Sequence, residues 1–196
     1  MLNRASLSWA RLVSNLLSPP VVWAVMVFPI AFRDATSRQQ AVSWALVYGV
    51  LVCIMPMVYV GWMVRRGSIS DLHMGVREER IRPFIVSLVC TAIAWWALRL
   101  MGAPPIIPLF ALFSLVQIAV MALITLVWQI SMHAMSISSA AVAAFAFFGP
   151  LWALPILPLV ILVGAARLNL KRHTLAQVIA GTAVGVMIPL VVFALL

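Results

Sequence analysis

Acidic residues are scarce in this sequence: four aspartates and glutamates among 196 residues, against thirteen lysines and arginines, for a formal net charge of +9. Those four, Asp34, Asp71, Glu78 and Glu79, do not form a hard-cation cage, so no metal site of that kind is expected. The only two cysteines, Cys53 and Cys90, exclude a disulfide framework and a thiolate cluster, and both fall in apolar runs as small core residues. Charged side chains of either sign make up 9% of the chain, too little polar surface to coat a soluble globule. What abounds is apolar, with 65% hydrophobic residues and a mean hydropathy of +1.16. These proportions point to an integral membrane protein of all-α class, a polytopic transmembrane helix bundle forming one domain over residues 1–196.

Charged residues bound five long intervals: 12 to 32, 39 to 64, 83 to 98, 100 to 166 and 173 to 196. An α-helix needs about 20 residues to cross a bilayer core, and the third interval reaches that length once Arg99 snorkels. The interval 100 to 166 would extend about 100 Å as one helix, against roughly 30 Å of hydrocarbon, so it must cross about three times. The "GAPPIIP" stretch at 102 to 108 opens it and Gly149-Pro150 breaks it; a further break is expected at "WQISMH", 128 to 133. Six to seven membrane segments result: roughly 18 to 33, 41 to 64, 84 to 101, 106 to 130, 133 to 148, 151 to 166 and 173 to 196. Asn15, Ser18 and Pro19-Pro20 interrupt the first apolar stretch, which reads as an interfacial amphipathic segment over 4 to 17 and not as a cleavable signal peptide.

Threading the chain back and forth puts the N-terminus, the 65 to 83 loop, His133 and the 166 to 173 segment on one side of the membrane, with all three histidines, His73, His133 and His173. That side holds ten of the thirteen basic residues, Arg33, Arg38 and Arg99 being the others. By the positive-inside tendency it faces the cytoplasm, in a plasma or inner membrane. The basic residues sit at span ends and in one short loop, which speaks against nucleic acid and for anionic lipid head groups as partners.

Three polar clusters stand out within 70–84, 128–139 and 166–181. In "ARLNLKRHTLAQ", Arg167 precedes His173 by six positions and Gln177 follows one helical turn later on the same face. A histidine so placed can attack phosphorus through one ring nitrogen while the other donates to the Gln177 carbonyl. Lys171 and Arg172 read as an interfacial basic cluster that binds lipid head groups. In "ISMHAMSISS", Ser131 and His133 begin a span whose N-terminal amides favour an anion, and His133 can act as a general acid. Taken alone, His133 is an ordinary interfacial histidine. In "SDLHMGVREERIRPF", Arg82-Pro83 abuts a span and pins a guanidinium at the membrane surface, with Arg77 a further source of charge. Arg80, Glu78, Glu79, Asp71 and His73 read as a solvated loop.

Together and in this order, the three clusters resemble the type 2 phosphatidic acid phosphatase superfamily of membrane lipid phosphatases. Its signatures run lysine, six residues, Arg-Pro; then Pro-Ser-Gly-His; then Ser-Arg, five residues, His, three residues, Asp. This chain matches Arg82-Pro83, Ser131 with His133, and Arg167 with His173 at the family spacing, over roughly residues 70 to 181. It departs at Gly75, where the family has lysine and Arg77 is the substitute two residues out of register. It departs also at Ile130 and Met132 for Pro and Gly, at Ala166 for Ser, and at Gln177 for Asp. Glutamine can orient His173 but cannot stabilise an imidazolium by charge. The resemblance implies a metal-independent, cofactor-free phosphoric ester hydrolase. His173 would form a phosphohistidine, His133 would protonate the leaving lipid oxygen, Gln177 would orient His173, and Arg82, Arg167, Arg77 and Ser131 would bind the phosphate. The substrate expected is a lipid phosphate or diphosphate of prenyl, polyprenyl or phosphatidate type. A lipid phosphotransferase uses the same residues, and a non-catalytic head-group binder or transporter remains the alternative of another class. A transporter calls for ionisable residues near the membrane midplane, and the sequence offers none there.

Overall fold

A computed structural model describes residues 8–72 and 74–194; Arg4, His73 and the ends of the 4 to 17 and 173 to 196 segments lie outside them. Every element among these residues is helical. The short α1 (Trp9–Leu16) starts at Ser8, whose hydroxyl accepts the Arg11 N–H. It stops before Pro19-Pro20, which lack the N–H groups to continue it, and α2 (Pro19–Arg33) leaves at 46°. α3 (Arg38–Tyr48) and α4 (Met55–Arg65) form one long helix joined by a π-helical turn, Gly49–Ile54. Pro56 follows that turn at once; its ring would clash with the carbonyl four residues back, and the Met55 N–H bonding Val50, five residues back, marks the widened ring that relieves it.

A 3₁₀ turn, Glu78–Arg80, leads into α5 (Ile81–Leu100), followed by α6 (Ile106–Val127), α7 (Met132–Phe148), the single turn α8 (Pro150–Ala153), α9 (Leu157–Asn169) and α10 (Leu175–Ala194). The break expected at 128 to 133 is the extended Trp128 and the Ser131 N-cap of α7, whose hydroxyl accepts from the Ala134 N–H at 3.3 Å. Gly149, at φ 91°, ends α7 in a conformation that suits glycine, and Pro150 starts the next turn.

Among the described residues, five helical stretches are long and apolar enough to cross a membrane, and a sixth if α1 and α2 count as one bent span, against the six to seven segments expected. The expected segment 133 to 148 corresponds to α7, whose 17 residues rise only about 26 Å. α7 is the centre of the bundle, for nearly all of it is buried, and its Ser and Ala residues let neighbours come close. α10 packs against it through Gly181 and Gly185: a Cβ on Gly181 would fall 2.5 Å from the Ser131 carbonyl oxygen, and one on Gly185 would collide with Ser138 and Met135. Ser139 Oγ donates to Gly185 O at 2.7 Å and receives Gln117 Nε2. An aromatic cluster of Trp23, Tyr48, Phe110, Phe113 and Phe147 packs between α2, α3, α6 and α7, with Tyr48 and Ser114 hydroxyls 2.6 Å apart. Cys53 and Cys90 are free thiols.

Candidate active site

The end of α9 builds the sharpest part of the site. Lys171 takes a left-handed conformation (φ 52°), the Lys171 N–H reaches Leu168 O at 2.9 Å and the Arg172 N–H reaches Arg167 O at 3.2 Å. This pair of bonds is a Schellman cap, with lysine where glycine is usual. It reverses the chain so that His173 comes back against the last turn of α9, where Arg167 sits. α10 then opens on a capping box: the Gln177 N–H points to Thr174 Oγ1 at 3.4 Å and the Thr174 N–H donates to Gln177 Oε1 at 3.0 Å.

That box fixes the His173 tautomer. A backbone N–H can only donate, so the Gln177 atom it meets is the acceptor oxygen. His173 Nδ1 lies 3.2 Å from the same oxygen and must therefore carry the proton, leaving Nε2 with a lone pair. Burial pushes the His173 pKa down to about 4, helped by the Arg167 and Arg80 charges, against the opposing Gln177 hydrogen bond. The imidazole is neutral at physiological pH and presents a nucleophilic nitrogen.

His133 stands in the first turn of α7 and, like His173, is buried. Its Nε2 lies 3.0 Å from the Ser14 carbonyl and 3.3 Å from the Ser14 hydroxyl. Arg167, only 2% exposed, gives Nη1–H to the same Ser14 hydroxyl at 2.7 Å, while its Nε has no hydrogen-bond partner among the described residues. Arg80 is 3% exposed; its Nε donates to Met74 O at 2.9 Å and its Nη1 is likewise without a partner among the described residues. Two buried guanidiniums with N–H groups left over can take an anion's oxygens, because a buried donor without an acceptor costs about 1 to 3 kcal/mol, more when charged.

These four side chains line one end of a cavity of about 440 Å³. From there it runs between α2, the π turn, α4, α5, α6 and α7, past Trp23, Val60, Phe84, Met121 and Met135, so its remaining wall is overwhelmingly apolar. It reaches Ser114 of α6, 13 residues from the Val127 end, a depth of about 20 Å at 1.5 Å per residue. Pro20, Cys53 and Met57 also border a shallow groove between α2 and the π turn with α4.

The structure brings together His173, His133, Arg167 and, through the capping box, Gln177. It does not bring Arg82, Arg77 or Ser131 to the cavity. Arg82 is exposed on the outer face of α5. Arg77 bonds Glu78 Oε1 through Nε and Nη2 and Leu126 O through Nη1. The Ser131 hydroxyl caps α7, and its backbone N–H donates to Gln177 O at 3.0 Å. In place of Arg82 the loop supplies Arg80, expected to be solvated. The reason is helical phase: 80, 83, 84 and 87 share the face that lines the cavity, whereas Ile81, Arg82, Ile85 and Val89 face out. That spacing is legible in the sequence. Ser14 is a second contributor that the sequence motifs do not single out; Ala10 and Ser14, one turn apart and both buried, are the small pair through which α1 lies against α9. Lys171 and Arg172 are exposed, and Arg172 pairs with Asp71 at 2.9 Å, tying the 66 to 77 loop to the cap.

Compared with known proteins, the chain matches no family model, no curated protein and no solved structure, so its chemistry rests on the geometry of these residues.

Proposed function

We propose that the protein is a membrane-embedded lipid phosphatase that hydrolyses a phosphate or diphosphate ester of a lipid, of prenyl, polyprenyl or phosphatidate type, through a phosphohistidine on His173. One observation carries this proposal. A neutral histidine with an unprotonated Nε2 shares a cavity with two buried guanidiniums that have N–H groups without partners among the described residues, and the rest of that cavity is mostly apolar. A phosphoryl group supplies the acceptors that Arg80 Nη1 and Arg167 Nε lack, and a hydrocarbon tail suits the wall.

In the first step the His173 Nε2 lone pair forms a bond to phosphorus as the bond to the lipid oxygen breaks, and protonated His133 gives that oxygen its proton. In the second, a water oxygen attacks phosphorus, its proton passes to His133, and the P–N bond breaks to release inorganic phosphate and restore neutral His173. Arg80 and Arg167 stabilise charge on the phosphoryl oxygens throughout, the part cations play in a loose phosphoryl-transfer transition state. Gln177 holds the Nδ1 proton and so keeps the attacking nitrogen bare. The substrate enters sideways from the bilayer, and the distribution of basic residues supports a cytoplasmic face of the cell membrane for the site.

The test is phosphate release by detergent-purified protein from phosphatidate, prenyl diphosphate and polyprenyl phosphate with chelator present, beside His173→Ala. Metal-independent release that the variant loses, with an acid-labile phosphoenzyme in wild type alone, is the expected result. Release that survives His173→Ala, or none from any substrate, overturns the proposal.

A further inference from the structure

Ser14 belongs to α1, outside all three polar clusters, yet its two oxygens touch two groups of the site. Its carbonyl is in the last turn of α1, where helix geometry leaves C=O groups without an intrahelical partner. A carbonyl can only accept, so the 3.0 Å contact places a proton on His133 Nε2. The Ser14 hydroxyl accepts Arg167 Nη1–H at 2.7 Å, which restrains the guanidinium of a residue that lines the cavity and whose Nε has no partner among the described residues.

We propose that Ser14 is a positioning residue of the reaction: its hydroxyl fixes the Arg167 guanidinium at the cavity end, beside the Ser14 carbonyl contact to His133 Nε2. The proposal rests on the phosphatase assignment for its catalytic consequence, and on the geometry alone for its effect on anion binding. The placement makes α1 part of the site. Its outer face carries Trp9, Leu12 and Leu16, each about half exposed, as a surface for the lipid interface, while Ala10 and Ser14 face inward. Ser14 is 1% exposed and its hydroxyl has no second role in the packing beyond these contacts, so its removal leaves a space of one oxygen atom.

The experiment is a double-mutant cycle on the full-length protein in detergent, read by the dissociation constant of inorganic phosphate. Ser14→Ala and Ser14→Thr are each combined with Arg167→Lys, which keeps the charge and loses the fork. Ser14→Ala weakens phosphate about tenfold with Arg167 present, the worth of one charge-assisted hydrogen bond, and less than about twofold in the Arg167→Lys background, where no fork is left to orient. Ser14→Thr keeps the hydroxyl and stays within about twofold of wild type. In the phosphate-release assay the same Ser14→Ala change lowers kcat more than it raises KM. An equal loss in both Arg167 and Arg167→Lys backgrounds, no loss in either, or a threonine variant as damaged as the alanine one overturns the proposal. Coupling in phosphate binding without turnover by wild type sinks the phosphatase assignment and leaves Ser14 as a positioning residue of an anion site.

Discussion

Gly181→Ala is a one-methyl perturbation whose effect follows from the packing of α10 on α7. The added Cβ would lie 2.5 Å from the Ser131 carbonyl oxygen and 3.2 Å from its C and N, whereas ordinary contact begins at 3.4 Å. The obstructing atoms are backbone, so no rotamer change relieves them, and the two helices must part by about 0.9 Å at this point. Overpacking of this kind costs about 1 to 3 kcal/mol. The movement also stretches the 3.0 Å bond from Ser131 N–H to Gln177 O beyond useful length, adding about 1 kcal/mol. Because Ser131 leads directly into His133 and Gln177 holds His173, the same displacement separates the two histidines. A misplacement near 1 Å costs about 100-fold in rate. The assay is thermal unfolding and kcat/KM for phosphate release by the purified variant, with Gly61→Ala as the control. A Cβ at Gly61 meets nothing within 4 Å, so that change is neutral or stabilising by up to about 1 kcal/mol. A Gly181→Ala protein that melts and turns over like wild type would refute the close α7–α10 joint and the coupling of both histidines to it.

Arg80→Ala should lower kcat/KM by at least about 100-fold, since it removes a buried guanidinium of the proposed phosphate site, while Arg82→Ala stays within about threefold; the reverse order would reject the helical phase that turns Arg80 inward. His173 must be neutral to attack, so the acid limb of kcat/KM should fall near pH 4 and not near the ordinary histidine value of 6.5. Arg80→Gln removes one of the charges that depress it, and the limb of the residual activity should move to higher pH; a limb that stays at 6.5 in wild type contradicts the buried, cation-flanked site. Lys171→Gly relieves a left-handed lysine, worth about 1 to 2 kcal/mol, against about 0.4 to 1 kcal/mol of added unfolded-chain entropy, for a net gain of about 0.5 kcal/mol with unchanged kcat. A destabilised Lys171→Gly protein would mean that the lysine side chain holds the cap by contacts beyond its backbone.

Much of the candidate site is written in short stretches. Arg167, His173 and Gln177 lie within eleven residues, and their meeting depends only on a helix cap and a helix start, both local structures with local signals. Thr174 and Gln177 even spell the capping box, so Gln177 has a structural occupation beside its hydrogen bond to His173. His133 reaches the same place because Gly181 allows Ser131 to approach α10, a contact that the glycine signals only as small-residue packing. Arg80 and Ser14 are harder to find. An arginine beside proline at a membrane edge draws attention to Arg82, but a rotation of two residues about the α5 axis decides which guanidinium is buried. Ser14 is one small polar residue among several near α1, and its partners are more than a hundred residues away.

The sequence by itself determined the all-helical, apolar character of the chain and several of its breaks, though not the number of spans, because transfer of a side chain into hydrocarbon is close to additive along a segment and proline and glycine act on their own backbone. It determined the local His173–Gln177 pair for the same reason. Only the tertiary structure decided which arginine enters the cavity, that α1 supplies Ser14, and that α7 lies at the centre. Those outcomes depend on the rotation of each helix about its axis and on close approach between segments far apart in the chain, and in a bundle where nearly every face is apolar the hydrophobic pattern scarcely constrains either.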